Sequence, residues 1–329
     1  MPSRRRAPAL LKAAAGYGLA LAALVWVLYD IHPDRLLRHL GATAWEGLAL
    51  AVVCDVLSYV CAGWRWQLLL RPRLLSAFKT TQAVYAGLFA NEVMPLHFGE
   101  LVRAFLVSRW TETPFAGVLS SLVVERLFDG IWLALGIGLA AILVPLPHDL
   151  LVAGDLLGGA LLAATGLLVF LVLRQPHFPD PAVGSRRPWR TLIGFISRLA
   201  EGLYQTGRSP AAYLAFAASL PVLVLQVLAF WLVMQACALD LSLWQGTVVM
   251  FVVRLGSILP GPPGGVGTYQ FFCVVGLAIF GVDKTLAASF SIVVFVVLTA
   301  PLWLLGAAAI SRSGMSLAAI RSQLRELRG

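Results

Sequence analysis

The sequence predicts an all-α polytopic membrane protein with about six full transmembrane helices plus two opposed re-entrant helical hairpins in an inverted repeat. Three observations predict it. The 329 residues are 59% hydrophobic and only 12% charged, with a mean hydropathy of +0.84, whereas a soluble domain carries about 25% charged residues. Apolar runs long enough to cross a hydrocarbon core, about 20 residues each, recur along the chain. Finally, two breaks interrupt the apolar pattern, Asn91-Glu92-Val93-Met94-Pro95-Leu96-His97-Phe98-Gly99-Glu100 and Pro260-Gly261-Pro262-Pro263-Gly264-Gly265-Val266-Gly267. Irregular backbone is too costly to leave facing lipid, so each break must be buried in protein or line a wet cavity. A pair of Pro/Gly-interrupted apolar segments, one in each half of a chain, points to the substrate site of a secondary transporter.

The elements follow in order. Arg4, Arg5 and Arg6 precede an apolar run over 10–29 that superficially looks like a secretory leader. The run is too long for one and no small-residue cleavage site precedes Asp30, so it reads as an uncleaved first transmembrane helix. Further full-length spans are expected at 46–68, 115–144, 151–173, 211–237 and 285–310. The segments 77–109 and 244–281 each have the length of a helical hairpin and are split near the middle by a break. With the N-terminus in the cytoplasm, the outer loops hold only Arg35, Arg38 and Lys284. The inner ones hold Arg71, Arg73, Lys79, Arg109, Arg174, Arg186, Arg187, Arg190, Arg198, Arg208 and the basic C-terminus. Arg65 and Arg103 are counted with that inner charge. This is the positive-inside asymmetry, with both termini cytoplasmic. Eight full spans satisfy the same charge rule, and the short half-segments favour re-entry. The chain is thus one integral membrane domain, 1–329, with a first repeat at 46–144 and an inverted second repeat at 211–310. The cytoplasmic loop at 174–208 includes an amphipathic helix over 190–207.

Charge and composition narrow the function. The net charge of +9 follows topology and contact with anionic headgroups rather than nucleic acid. Cys54, Cys61, Cys237 and Cys273 lie in apolar segments at spacings of neither a disulfide framework nor a metal site, so they are expected to pack. No metal or cofactor is expected. Trp26, Trp45, Trp64, Trp66, Trp110 and Trp244 fall near span ends, as interface anchors do. No Ser/His/Asp order, zinc spacing or nucleotide loop marks an enzyme.

Ionisable residues at membrane depth cost about 2.5–3.5 kcal/mol or more each and need a reason. They are Asp55, Glu92, Glu100, Arg103, Glu125, Arg126, Asp129 and Arg254. Glu125 and Asp129 share a helix face at i,i+4 with Arg126 beside them. They read either as part of a site or as a structural ion-pair cluster. Glu100 lies in the first turn after Gly99, where it suits the helix dipole, and Arg103 can pair with it or reach Glu125 or Asp129. Arg254 either joins the acidic cluster or faces an anionic substrate, since guanidinium suits bidentate phosphate contact. Gly264, Gly265 and Gly267 permit unusual dihedrals, Pro263 helps end the half-helix before them, and the helix start after Gly267 offers N–H groups to a phosphate. A tight hairpin turn is the alternative reading. His97 in the first break is more often solvated or structural than a proton carrier.

In this order, Asn91…Pro95-x-x-x-Gly99-Glu100-x-x-Arg103, Glu125-Arg126-x-x-Asp129 and Pro263-Gly264-Gly265-x-Gly267 resemble the flippase-like family that includes the transmembrane region of lysylphosphatidylglycerol synthases. The resemblance runs from about residue 10 to 311. It implies a polytopic helical protein linked to lipid translocation, without the soluble synthase domain, and a substrate that is a membrane phospholipid or lipid-linked molecule. With the residue readings above, the expected substrate contacts are Asn91, Glu92, Pro95, His97, Gly99, Glu100, Arg103, Glu125, Arg126, Asp129, Arg254, Pro263, Gly264, Gly265 and Gly267. His97 stands where many members have arginine, and Gln270 where many have glutamate. A lipid-modifying enzyme or accessory subunit of a lipid, glycolipid or hopanoid pathway is the other expectation, and a biosynthetic enzyme or a second copy of the chain is the expected protein partner. The bacterial cytoplasmic (inner) membrane is the expected location.

Overall fold

The computed structural model describes residues 18, 20–29, 44–70, 75–94, 98–146, 209–257 and 262–314, with single positions between 148 and 204. All regular structure among the described residues is helical. The order is α1 (Trp45–Leu69), α2 (Ala77–Val93), α3 (Gly99–Thr111), α4 (Phe115–Leu143), α5 (Pro210–Ala236), α6 (Leu243–Gly256), a 3₁₀ turn at Pro263–Gly265, α7 (Thr268–Ala278) and α8 (Lys284–Ser311). Residues 20–28 are helical as well. Most of the expected span 151–173, nearly all of the loop 174–208, the helix at 190–207, and Pro95, His97, Pro260 and Gly261 lie outside the described residues.

Four helices, α1, α4, α5 and α8, are long and apolar enough to cross a membrane. At about 1.5 Å per residue, each exceeds the roughly 30 Å hydrocarbon core. The helices flanking the breaks are shorter, at 17 and 13 residues for α2 and α3 and 14 and 11 for α6 and α7. A long, short, short, long order therefore occurs twice. Helix starts are fixed by side-chain caps. Ser76, Ser209 and Asp283 accept from backbone N–H groups of α2, α5 and α8, and Ser242 with Gln245 forms a reciprocal capping box on α6.

α1 runs along α5 more extensively than any other described pair, α2 packs on α1 and α8, and the 3₁₀ turn touches α2. Water exclusion does not drive helices together inside lipid, so close approach through small residues does. The buried set accordingly includes Ala51, Ala62, Ala83, Ala86, Ala215 and Ala288. The tightest case is the α2–α3 crossing. A Cβ at Gly99 would lie 2.1 Å from the Gly87 carbonyl oxygen and 2.6 Å from Asn91 Oδ1, so only glycine fits there. Larger side chains fill the remainder, with Phe230 of α5 meeting Phe290 of α8 edge to face at 5.4 Å. Trp66 departs from its expected place at the membrane interface. It is fully buried, donates to Ser121 Oγ at 3.0 Å and lies 4.9 Å from the Arg103 guanidinium. Its position on α1 turns it toward α4, while Trp64, two residues away, faces outward.

Candidate functional site

The charged residues of α1, α3 and α4 converge. Arg65 of α1 is 1% exposed. Its guanidinium meets Glu125 at 2.9 Å, pairs with Asp129 and donates to Ser219 Oγ of α5 at 3.0 Å. Arg103 of α3 reaches the same Glu125 oxygen at 2.9 Å. Arg126, a turn away, pairs with Glu100 and lies 3.5 Å from Asp129. Glu125 thus pairs with arginines on two other helices rather than with its neighbour Arg126, and of the partners open to Arg103 the structure selects Glu125. All of these residues except Glu100 line a cavity of about 480 Å³ whose walls carry four arginines (Arg65, Arg103, Arg126, Arg254) against two carboxylates (Glu125, Asp129).

A second cavity, of about 280 Å³, adjoins it between the two breaks. Asn91 and Glu92 come from the end of α2, Gly264 and Gly265 from the second break, and Asp55, Tyr59 and Tyr269 complete the polar wall. Gly264 has φ +70, and a Cβ there would lie 2.7 Å from Glu92 Oε2, so the second break is seated directly on the first arm. Arg254, Gln226, Tyr59, Leu88 and Ser257 line both cavities. Arg254 donates to Gln226 Oε1, which makes this pair part of the partition. Asp55 is 4% exposed and within electrostatic reach of Arg254. Asp55 Oδ2 and Glu125 Oε2 are buried acceptors with no hydrogen-bond partner among the described residues, and the Nε groups of Arg65 and Arg103 are donors in the same condition.

The other predicted residues hold the frame together. Asn91 Oδ1 accepts the Gly99 N–H at 2.6 Å, tying the two arms of the first break. Trp303 donates to Glu92 Oε2 at 3.3 Å. The backbone of Pro263 begins the 3₁₀ turn. Gly267 is buried and donates its N–H to Gln270 Oε1 at 2.7 Å, and its missing Cβ would lie 2.2 Å from the Ala20 carbonyl oxygen. That N–H is therefore a capped helix start and not a free phosphate donor, and the acceptor role of Gln270 is one that glutamate fills equally. Arg65, which charge counting places with the cytoplasmic charge at the inner end of the span 46–68, is instead the centre of the buried network, because its face of α1 turns toward α4 and α5. Its signal lies in the sequence: Asp55, Ser58, Ala62 and Arg65 fall at i, i+3, i+7 and i+10, one stripe of a helix.

The model of the lysylphosphatidylglycerol synthase TM region matches residues 13–306, which contain both breaks and the whole ion network. The chain belongs to this family. It is similar to a UPF0104 membrane protein of Methanothermobacter thermautotrophicus, 26% identical over 299 residues, with 84% of each chain covered. A second UPF0104 membrane protein, from Methanocaldococcus jannaschii, is 23% identical over 274 residues, 78% of this chain and 81% of that one. The protein named Glycosyltransferase AglD in Haloferax volcanii is 28% identical over 301 residues, 80% of this chain but 48% of that protein. No solved structure matches.

Proposed function

We propose that this member of the family moves a phospholipid or lipid-linked substrate across the membrane, with the headgroup phosphate carried through the two cavities and the tails left in the bilayer. One observation carries the reading: a cavity among the helices with four arginines on its walls and two carboxylates, sharing Arg254 and Gln226 as a common wall with a chamber between the two chain breaks. A bare phosphate cannot enter hydrocarbon, where an ionised group costs tens of kcal/mol. Guanidinium groups replace its hydration by charge-assisted, bidentate hydrogen bonds. Arg65 and Arg103 are buried against Glu125 and hold the frame; Arg126, paired with Glu100 and Asp129 but with a side chain 56% exposed, and Arg254, whose partner Gln226 is neutral, are the two placed to meet a ligand. In this reading the half-length helices α2/α3 and α6/α7 are re-entrant hairpins of an inverted repeat, meeting from opposite faces. The protein sits in the cytoplasmic membrane with both termini inside.

Arg126→Gln and Arg254→Gln are each expected to abolish translocation of a phosphate-bearing lipid in proteoliposomes while the protein stays monodisperse in detergent. Wild-type rates in both folded variants would defeat the assignment. The similarity to the Haloferax glycosyltransferase favours a second reading, a lipid-modifying enzyme or its accessory subunit. Mass spectrometry of lipids incubated with the pure chain separates the two, since only an enzyme changes lipid mass.

A further inference from the structure

The charged cavity has an apolar neighbour. A groove of about 220 Å³ opens on the outside of the bundle between α4, α5 and α6, with Leu135 and Gly136 on one wall, Leu220 and Val224 on another, and Phe251 from α6. Leu135, Leu220 and Val224 are exposed along it. Thr247, which bears a hydroxyl on this wall, turns it onto the Leu243 carbonyl oxygen at 2.7 Å, so the groove offers a ligand hydrocarbon contact. Gly136 keeps its shape: a Cβ there would lie 2.7 Å from Phe251 Cζ.

Two residues, Trp132 and Leu223, line both this groove and the arginine-rich cavity. Trp132 is fixed in that position. Its indole N–H donates to the Phe216 carbonyl oxygen at 2.9 Å and its ring stacks on Phe216 at 5.3 Å. Pro221 lies within the same stretch of α5, where it withdraws a backbone donor. A surface for phosphate and a surface for hydrocarbon are therefore separated by the thickness of one side-chain layer. A glycerophospholipid has the same arrangement, with its phosphate only a few bonds from the first methylenes of its chains.

We infer that the groove seats one acyl chain of the lipid whose phosphate occupies the arginine-lined cavity, and that the lipid enters sideways between α4 and α5 past Trp132 and Leu223. The inference rests on the transport reading for its headgroup site, but it makes a separate claim about where the chain lies.

The test uses the full chain in detergent micelles with phosphatidylglycerol carrying a diazirine in one acyl chain. Diacylglycerol with the same chains and no phosphate is the control, and labelled peptides are mapped by mass spectrometry. Labelling of 132–139 and 220–228 is expected to favour phosphatidylglycerol about tenfold or more, the ratio that one charge-assisted hydrogen bond confers. Val224→Trp, which fills the groove from an exposed position, is expected to bring it down to the diacylglycerol level. Equal labelling by the two lipids, as from a passing annular lipid, overturns the inference, and so does labelling that avoids these segments. Headgroup-dependent groove labelling in a protein that fails to translocate lipid keeps the groove and removes the transport reading. Translocation without groove labelling removes the groove alone.

Discussion

Arg65 shows how one residue at membrane depth organises a site. It is buried against Glu125, Asp129 and Ser219 from two other helices, and a buried charge that loses its partner costs about 3–5 kcal/mol. Arg65→Ala is therefore expected to destabilise the fold by that order, leaving Glu125 with Arg103 alone, and thermal unfolding in detergent reads it. Arg65→Lys restores the charge but cannot reproduce the planar fork across two carboxylates, so its unfolding temperature is expected to fall between those of Arg65→Ala and wild type. A wild-type melting curve for Arg65→Ala would contradict the network. Arg126 is the counterpart. Because its side chain is more than half exposed, Arg126→Gln is expected to leave the melting curve nearly unchanged while removing transport. Residue identity in the sequence shows that charges lie in the membrane, and the i,i+4 spacing of Glu125 and Asp129 shows that they share a face. Which arginine each acid meets depends on how α1, α3 and α4 rotate, and no spacing within one helix encodes that. Trp66 and Arg65 depart from the sequence expectation for this reason: near a span end, an interface anchor or an inner-end charge looks the same in sequence as a residue facing inward.

At the scale of the elements, apolar length was legible and packing was not. The spans expected at 46–68, 115–144, 211–237 and 285–310 correspond to α1, α4, α5 and α8 within a residue at each end. Both breaks fall between paired short helices, because proline and glycine signals are local. The contact of the second break with Glu92 is not local, and it follows from the positive φ of Gly264 and the space left by its missing side chain. Gly264→Ala must adopt a left-handed backbone, costing about 1 kcal/mol, and also displace Glu92. Slower translocation with a modest loss of stability is the expected outcome. Gly99→Ala meets backbone of α2 rather than a movable carboxylate, so it is expected to abolish the folded, monodisperse protein, read by gel filtration. If Gly99→Ala were as stable as Gly264→Ala, the α2–α3 crossing described above would be wrong.

For the whole molecule, the transport reading proposed above uses the repeated long, short, short, long order and the two adjoining cavities as the route of a polar headgroup through an apolar bundle. If the hairpins are opposed, His97→Cys and Gly265→Cys, each in a chain whose four native cysteines are replaced, are labelled by membrane-impermeant thiol reagents from opposite faces. Labelling of both from one face would contradict the inverted arrangement. The two breaks and the Glu125/Asp129 pair made the candidate site legible in the sequence, while its division into two chambers at Arg254 and Gln226 needed the fold. The most direct test of the central claim is translocation itself, with the wild-type chain reconstituted in vesicles holding a fluorescent, phosphate-bearing lipid and an impermeant reductant added outside. The account predicts that label in both leaflets is bleached in protein-containing vesicles, and bleaching confined to the outer leaflet, as in protein-free vesicles, would contradict it.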